Sequence, residues 1–492
     1  MTKRPNFYTL LGLPRSATVE DIRRSYLKAA KRLHPDKNVA PGETELFLDV
    51  QQAYQVLTDP AQRKAYDANL PPEEEDISIV DQRILVSRKE LTQAKEAQLV
   101  YVLADFSPKK ELFNGAGNST PLNICLVLDC STSMKNDKLD TVKATAIQLL
   151  RKLAPQDILS IVTFSDHAEV TIPATRQGNI PMMENRIRFL QASGGTEIFQ
   201  GLQAGLNEVR RYGNPAFINH IILLTDGHTY GDEQASYELA KDAATENIGI
   251  SGMGIGSGWN DTFLDRIASL TGGYTMLVSQ PSDIERLLTE KFTNLTQTYA
   301  ENVTFEYELG EGIELGYAFR LQPETAPLMT DSPLHLGSIM RDRPLTVLLE
   351  FNIKPQAEQT KAINLLQGTL EISAASLQIP SYPIPINIVL PVNANAPIET
   401  PAPPLIQALS KLTLYRIQEK ARKEMANGDY EQAAGHLQKL ATRLLAQGER
   451  SLAKTIMLEI EHVNKENAFS ESGEKQIKYG TRALMLPQEH KI

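Results

Sequence analysis

Ile124-Cys125-Leu126-Val127-Leu128-Asp129-Cys130-Ser131-Thr132-Ser133 is the stretch that decides the fold of the largest part of this chain. An unbroken apolar run of this length reads as a strand buried on both faces. An aspartate and several hydroxyl residues wait at its carboxyl end. Further runs of the same kind lie downstream, at Ile158 to Phe164, Ile218 to Leu224, Ile248 to Ile255 and Tyr274 to Val278, with helical patterns between them. Buried strands alternating with helices predict a mainly parallel, doubly wound α/β sheet covered on both sides. Ala168 to Thr175 reads as one more strand, reached across only Ser165-Asp166-His167. So short a link forces an antiparallel pairing, and an edge position is expected.

In open α/β sheets, ligands bind beyond the carboxyl ends of the strands, where the strand order reverses. Two other oxygen-bearing loops are expected to meet Asp129 there. Gly194-Gly195-Thr196 precedes a helix, and Thr225-Asp226-Gly227 ends the strand Ile218 to Leu224. Hydroxyls and carboxylates without histidine or thiolate are the ligand set of a hard cation such as Mg²⁺ or Mn²⁺. Two carboxylates balance a divalent ion, so a further carboxylate from outside is a natural additional ligand. Helix capping alone could employ Asp129 and the serines, but it leaves Thr196 and Asp226 without a purpose.

This constellation resembles the metal-ion-dependent adhesion site of von Willebrand factor A (vWA) domains, an Asp-x-Ser-x-Ser run with a distant threonine and a distant aspartate. Asp129, Ser131, Ser133, Thr196 and Asp226 fill all five positions, and the resemblance spans 121–296 within a domain placed at 121–299. It implies that Ser131, Ser133 and Thr196 coordinate Mg²⁺ or Mn²⁺ directly, while Asp129 and Asp226 act mostly through water. Other chemistry is disfavoured. Gly252, Gly254, Gly256 and Gly258 miss the dinucleotide-loop spacing. Ser131 has no positioned base in the sequence to make it a nucleophile, and Trp259 is expected to pack.

Nearer the amino end, Val19 to Leu33 is a helical pattern with Thr18 as its N-cap. Ile22, Tyr26, Ala29 and Leu33 form its apolar face, and Arg24, Lys28, Lys31 and Arg32 form a second, basic stripe. Pro35 ends it. A second pattern carries Phe47, Val50, Ala53-Tyr54 and Leu57 and stops at Asp59-Pro60. With His34-Pro35-Asp36 between the two helices, Tyr8-x-Leu10-Leu11-Gly12 before them and Arg63-x-x-Tyr66-Asp67 after them, residues 5–68 resemble a DnaJ-type J-domain. The resemblance implies an all-α module at 1–70. In it His34, Pro35 and Asp36, together with Arg24, Lys28, Lys31 and Arg32, dock on a DnaK-type chaperone ATPase and stimulate it. Ala29 departs from the leucine usual in the family.

Pro71 to Asp76 reads as an acidic linker. The strand-like segments 77–120 and 300–391 are expected to form one discontinuous β-sandwich into which the vWA domain is inserted, since the ends of compact domains lie close together. Residues 392–404 read as a second linker, and 405–468 as three amphipathic helices broken at Asn427-Gly428 and Gln447-Gly448-Glu449. Gly428-Asp429-Tyr430-x-x-Ala433 looks like a single tetratricopeptide-type turn, which cannot bury its own core, so these helices are expected to pack on the body or on a partner. Residues 469–492 read as a polar, poorly ordered tail.

At 492 residues, 41% hydrophobic and 22% charged, the composition is that of a multidomain globular protein. No run of about 18 uncharged apolar residues could span a membrane, no signal-peptide pattern follows the basic start, and a cytoplasmic location is expected. Cys125 and Cys130 stand at an odd spacing that sends their side chains to opposite faces, against a disulfide. Of the net charge of −10, residues 1–70 carry +3 (11 basic against 8 acidic) and the rest −13 (39 against 52), a poor balance for nucleic acid. The expected function is a non-enzymatic co-chaperone: the vWA domain binds a protein partner that supplies an acidic residue to the metal, and the J-domain brings the DnaK-type ATPase. The alternative is a metal-regulated assembly scaffold whose J-domain only tethers or remodels the complex.

Overall fold

The computed structural model describes residues 7–11, 13, 17–33, 43–69, 78–109 and 120–485, apart from 177, 230, 357–359, 378, 398 and 471. The chain divides into two units, Met1–Ser78 and Ile79–Ile492. The first holds helices α1 (Phe7–Leu11), α2 (Val19–Leu33), α3 (Glu43–Thr58) and α4 (Pro60–Asn69). Helix α2 starts where Thr18 and Asp21 cap each other: the Asp21 N–H donates to Thr18 Oγ1 at 3.2 Å and the Thr18 N–H returns to Asp21 Oδ2 at 3.1 Å. Asp59 caps α4 in the same manner, accepting from the Ala61 and Gln62 N–H groups. Tyr8, Leu11, Ile22, Val50, Ala53 and Leu57 make the core.

The second unit opens with strands β1 (Val80–Val86), β2 (Leu91–Thr92) and β3 (Gln98–Pro108). The α/β domain follows as β4 (Leu122–Asp129), α5 (Asp137–Lys152), β5 (Ile158–Phe164), β6 (Ala168–Arg176), α6 (Ile180–Arg188), α7 (Ile198–Arg210), β7 (Ile218–Thr225), α8 (Glu233–Thr245), β8 (Gly249–Ile255), α9 (Asp261–Leu270), β9 (Thr275–Val278) and α10 (Ser282–Thr296). Strands β10 (Thr298–Leu309), β11 (Ile313–Gln322), β12 (Ala326–Leu328), β13 (Leu334–Met340), β14 (Leu345–Ile353), β15 (Ala362–Ala374) and β16 (Ile379–Asn393) return to β structure. Four helices close the unit: α11 (Pro403–Ala426), α12 (Tyr430–Ala446), α13 (Arg450–Glu466) and α14 (Gly473–Ala483).

The α/β sheet has the order β6-β5-β4-β7-β8-β9, with only the β5–β6 pair antiparallel. The chain runs outward from β4 on one side and resumes beyond it at β7, so the switch point lies between those two strands. Alternate residues of β4 feed separate cores. Ile124, Leu126 and Leu128 pack among residues of α5 and α10, whereas Cys125 and Val127 pack among residues of α7, α8 and α9. Cys125 and Cys130 fall in opposite cores, both buried and free, and burial pushes both thiols up to about 12. The glycine run of β8 makes room for Trp259: a Cβ on Gly254 would lie 1.9 Å from its ring.

The flanking strands form two five-stranded sheets, β1-β3-β14-β11-β12 and β13-β10-β15-β16-β2. Strand β3, from before the α/β domain, pairs with β14, from after it, from Phe106↔Leu345 to Gln98↔Ile353. Val102, Ala104 and Phe106 face the other sheet, while Leu103 turns outward under Leu405, Leu412 and Tyr415 of α11. The carboxyl-terminal helices therefore pack on the body. Arg320, 1% exposed, ties sandwich to α/β domain by donating to the carbonyls of Gly272, Gly273, Leu336 and Glu324 at 2.7–2.9 Å. Gly337, at φ +101°, leaves the space for that guanidinium.

Two expectations need correction. Strand β16 runs on through Asn393, where it pairs with β2, and α11 begins at Pro403, so the second linker is shorter at both ends than its proline content suggested. The stretch after Phe469 is not a loose tail throughout: α14 carries Lys478 and Arg482 into burial, 4% and 2% exposed, against Asp261 and Asp265 of α9. These two basic residues pair inside the protein instead of facing water.

Candidate functional site

Asp129 ends β4 with no exposed surface. Its Oδ1 accepts the Ser131 N–H at 2.7 Å and its Oδ2 accepts the Thr225 hydroxyl at 2.6 Å. Ser131 Oγ lies 3.0 Å from Ser133 Oγ, and Ser133 Oγ donates to Asp226 Oδ1 at 2.6 Å. Asp226 follows β7 directly. The switch point thus gathers the oxygens of Asp129, Ser131, Ser133 and Asp226 in one connected cluster. The loop before α7 is stitched to it: the Ser193 N–H donates to Cys130 O at 2.8 Å, and Thr132 donates to Gly194 O through both its N–H and its hydroxyl. Gly194 takes φ +79° there, and Asp166 accepts the Gly195 N–H at 2.6 Å. Thr196 is brought close to the same place, since a Cβ on Gly227 would lie 2.9 Å from Thr196 Oγ1.

Burial pushes the Asp129 carboxyl up, and the nearby Asp226 adds to this, against hydrogen bonds from Ser131 and Thr225 that oppose it. Two carboxylates and two serine hydroxyls in one confined cluster are oxygen donors that suit a hard divalent cation. Among the described residues no group of three or more His, Cys, Asp or Glu offers another metal cage.

Lys138 and Thr225 belong to this cluster and were missed in the sequence. Lys138 Nζ sits 2.5 Å from Asp226 Oδ2 and 3.3 Å from the Ser133 carbonyl. One signal could have found it. A lysine in the first turn of a helix opposes the helix dipole, so such a residue needs another reason to be there. Thr225 could have been suspected as the hydroxyl next to Asp226. Beside the cluster, between β6 and α6, runs a groove of about 950 Å³ whose lining includes Cys130, Ser193, Arg186, Met182 and Phe189. Phe189 is 81% exposed.

In the first unit, His34, Pro35 and Asp36 and the side chains of Lys28, Lys31 and Arg32 lie outside the described residues, while Arg24 is exposed on α2. The flanking signature is structural. Tyr8 donates its hydroxyl to Asp67 at 2.7 Å, and Arg63 donates to Tyr8 Oη at 2.9 Å and to Ala17 O at 2.8 Å. Phe7 stacks on Tyr66 at 4.4 Å and Tyr26 on Tyr54 at 4.1 Å. These contacts fasten α1 to α4 and α2 to α3.

Three families match separate parts of the chain. The DnaJ domain family matches residues 6–67, the von Willebrand factor type A domain family 123–290, and the Sll0103-like, C-terminal alpha-helical domain family 403–487. The chain is 28% identical over 331 residues to the uncharacterized protein sll0103 of Synechocystis sp., a match covering 65% of this chain and 78% of that one. It is 43% identical over 67 residues to Chaperone protein DnaJ 2 of Thermus thermophilus, covering 14% of this chain and 24% of that one, so only about a quarter of that relative is spanned. In fold it is similar to the von Willebrand factor type A protein of Catenulispora acidiphila (TM-score 0.65, 14% identity, covering 82% of this chain and 97% of that one). The ArnB paralog VWA2 of Sulfolobus acidocaldarius is also similar (TM-score 0.52, 17% identity, covering 83% and 100%). Among the described residues no helix is long and apolar enough to cross a membrane.

Proposed function

We propose that this chain, which joins a DnaJ domain to a vWA domain and an Sll0103-like helical domain, is a co-chaperone that selects its client through the vWA domain. Ser131, Ser133 and Thr196 hold Mg²⁺ or Mn²⁺ directly, Asp129 and Asp226 support it through water, and an acidic residue of a protein partner completes the coordination. His34, Pro35 and Asp36, with the stripe Arg24, Lys28, Lys31 and Arg32, dock on a DnaK-type ATPase and stimulate it beside the captured client. The observation that carries this reading is the single oxygen cluster at the switch point, in a chain that also carries a DnaJ domain. When bound, the metal supplies a Lewis-acidic point for a carboxylate. The protein's own part is to fix the two serine hydroxyls and spread the charge over two aspartates.

A role in interaction fits the site, where the Oγ of Ser131 meets the hydroxyl of Ser133. The cytoplasm is the compartment in which such a pairing with a DnaK-type ATPase would work. Stimulation of DnaK ATP hydrolysis tests the first half. It should disappear in His34→Gln and Asp36→Asn, and unchanged stimulation by either variant would refute the docking role. Capture of partners with and without chelator tests the second half, and binding that persists in excess chelator would refute metal-mediated capture.

A further inference from the structure

We propose that Lys138 is a tethered competitor for the divalent ion at the switch point, so that metal enters only by displacing its ammonium from Asp226. The proposal rests on reading the oxygen cluster as a metal site, and it adds the element that sets its affinity.

All four oxygens of the two carboxylates are engaged. Asp129 uses both on the Ser131 N–H and the Thr225 hydroxyl. Asp226 gives Oδ1 to Ser133 and Oδ2 to Lys138. Among the described residues the Lys138 contact is the one ion pair that either carboxylate makes. It leaves the cluster with a single net negative charge instead of two. A divalent ion brought to the serine hydroxyls draws on the same Asp226, and the ammonium holds the oxygen it needs.

The lysine is not held there by its helix. The amino-terminal turn of α5 repels a cation, so its position comes from the ion pair with Asp226 and a longer hydrogen bond to the Ser133 carbonyl. Nor is it locked in place. The Asp226 side chain has no exposed surface, but that of Lys138 is 33% exposed. Its flexible four-carbon stem lets the strongly hydrated ammonium swing into water while the carboxylate stays fixed. Metal entry is therefore an exchange of one cation for another. Without metal, the lysine keeps a buried carboxylate pair from standing unneutralised.

Mn²⁺ binding to the full chain, followed by loss of the free-ion electron paramagnetic resonance signal, tests this. A hydrogen bond to a charged group corresponds to about ten-fold or more in an equilibrium constant. Lys138→Met should therefore bind Mn²⁺ about ten-fold tighter than the wild type, and Lys138→Gln should do the same if the methionine variant folds poorly. Lys138→Arg, which keeps the charge, should bind no tighter than the wild type. Lys135→Met removes an equal charge from an exposed position nearby and should gain less than about three-fold, as expected of screened surface charge. A wild type without measurable binding beside a Lys138→Met variant that binds would support the competition. Lys138→Met binding Mn²⁺ no tighter than the wild type overturns it and leaves the metal site standing. No binding by any of these proteins overturns the competitor and the metal site together.

Discussion

Replacing Arg482 by alanine should release α14 from the α/β domain. Arg482 is 2% exposed and grips Asp265 with both ends of its guanidinium, at 3.0 and 2.8 Å, while also donating to the Tyr415 hydroxyl at 3.2 Å. Burial by itself would push the Asp265 carboxyl up, but Arg482, and then Lys478, hold it well below the usual carboxylate range. Breaking a buried pair by deleting one partner costs about 3–5 kcal/mol. Asp265 keeps Lys478 at 2.7 Å, so the lower end, about 3 kcal/mol, applies. The chain's one tryptophan reports on this directly. Trp259 is fully buried, its ring 5.7 Å from Tyr479 and 5.4 Å from Lys475 Nζ, both on α14. Urea titration followed by tryptophan emission should show a red-shifted native baseline and an earlier transition in Arg482→Ala. The double change Asp265→Leu with Arg482→Leu should recover part of the loss, because Asp265 is then no longer buried short of its Arg482 partner, while Lys478 keeps Asp261. Wild-type emission together with a wild-type midpoint in Arg482→Ala would refute the argument.

Three further outcomes are expected. Glu301 is 8% exposed, and burial raises its carboxyl to about 7 from an ordinary 4.5, against hydrogen bonds from Ala375 and Ser373. A folded-state value above the unfolded one means that its contribution is full below pH 4.5 and is lost as pH rises through about 7, so Glu301→Gln should exceed the wild type by about 2 kcal/mol in denaturation above neutral pH. Ser131→Ala combined with Ser133→Ala should abolish Mn²⁺ binding in the same resonance assay while leaving J-domain stimulation of DnaK unchanged; retained binding would place the ion elsewhere. A fragment ending at Tyr299 leaves β3 without β14, its partner through nine residue pairs, and should aggregate in size-exclusion chromatography; a monomeric, cooperatively folding fragment would show that β3 does not need that pairing.

What the sequence disclosed follows from the range of the interactions involved. Buried strands such as Ile124 to Leu128 are written in a local apolar run, and the antiparallel edge position of β6 in the shortness of the link before it. The residues of Asp-x-Ser-x-Ser are adjacent in the chain, and the rule for switch points brings Asp226 to them. The partner of Lys138 was not legible, because it depends on which side chain a helix turn points at a carboxylate 88 residues away. Lys478 and Arg482 were misread for a related reason. A basic residue is assigned to water unless its partner is known, and theirs lie more than 200 residues upstream in α9. Arg320 was silent as well, since all its acceptors are backbone carbonyls, which carry no residue signature.

The way the α/β domain is spliced into the sandwich has a mechanical meaning. The strand before it, β3, lies between β1 and β14, and the strand after it, β10, lies between β13 and β15 in the other sheet. Neither is an edge strand. A pull on a partner held at the switch point would reach the sandwich through two interior strands in different sheets. Detachment would require sliding ladders on both sides of each strand together, whereas an edge strand can be peeled away one pair at a time. Arg320 reaches across the same junction to two backbone acceptors, the carbonyls of Gly272 and Gly273. Under tension the domain that grips the partner should therefore stay seated while weaker parts of the assembly yield first.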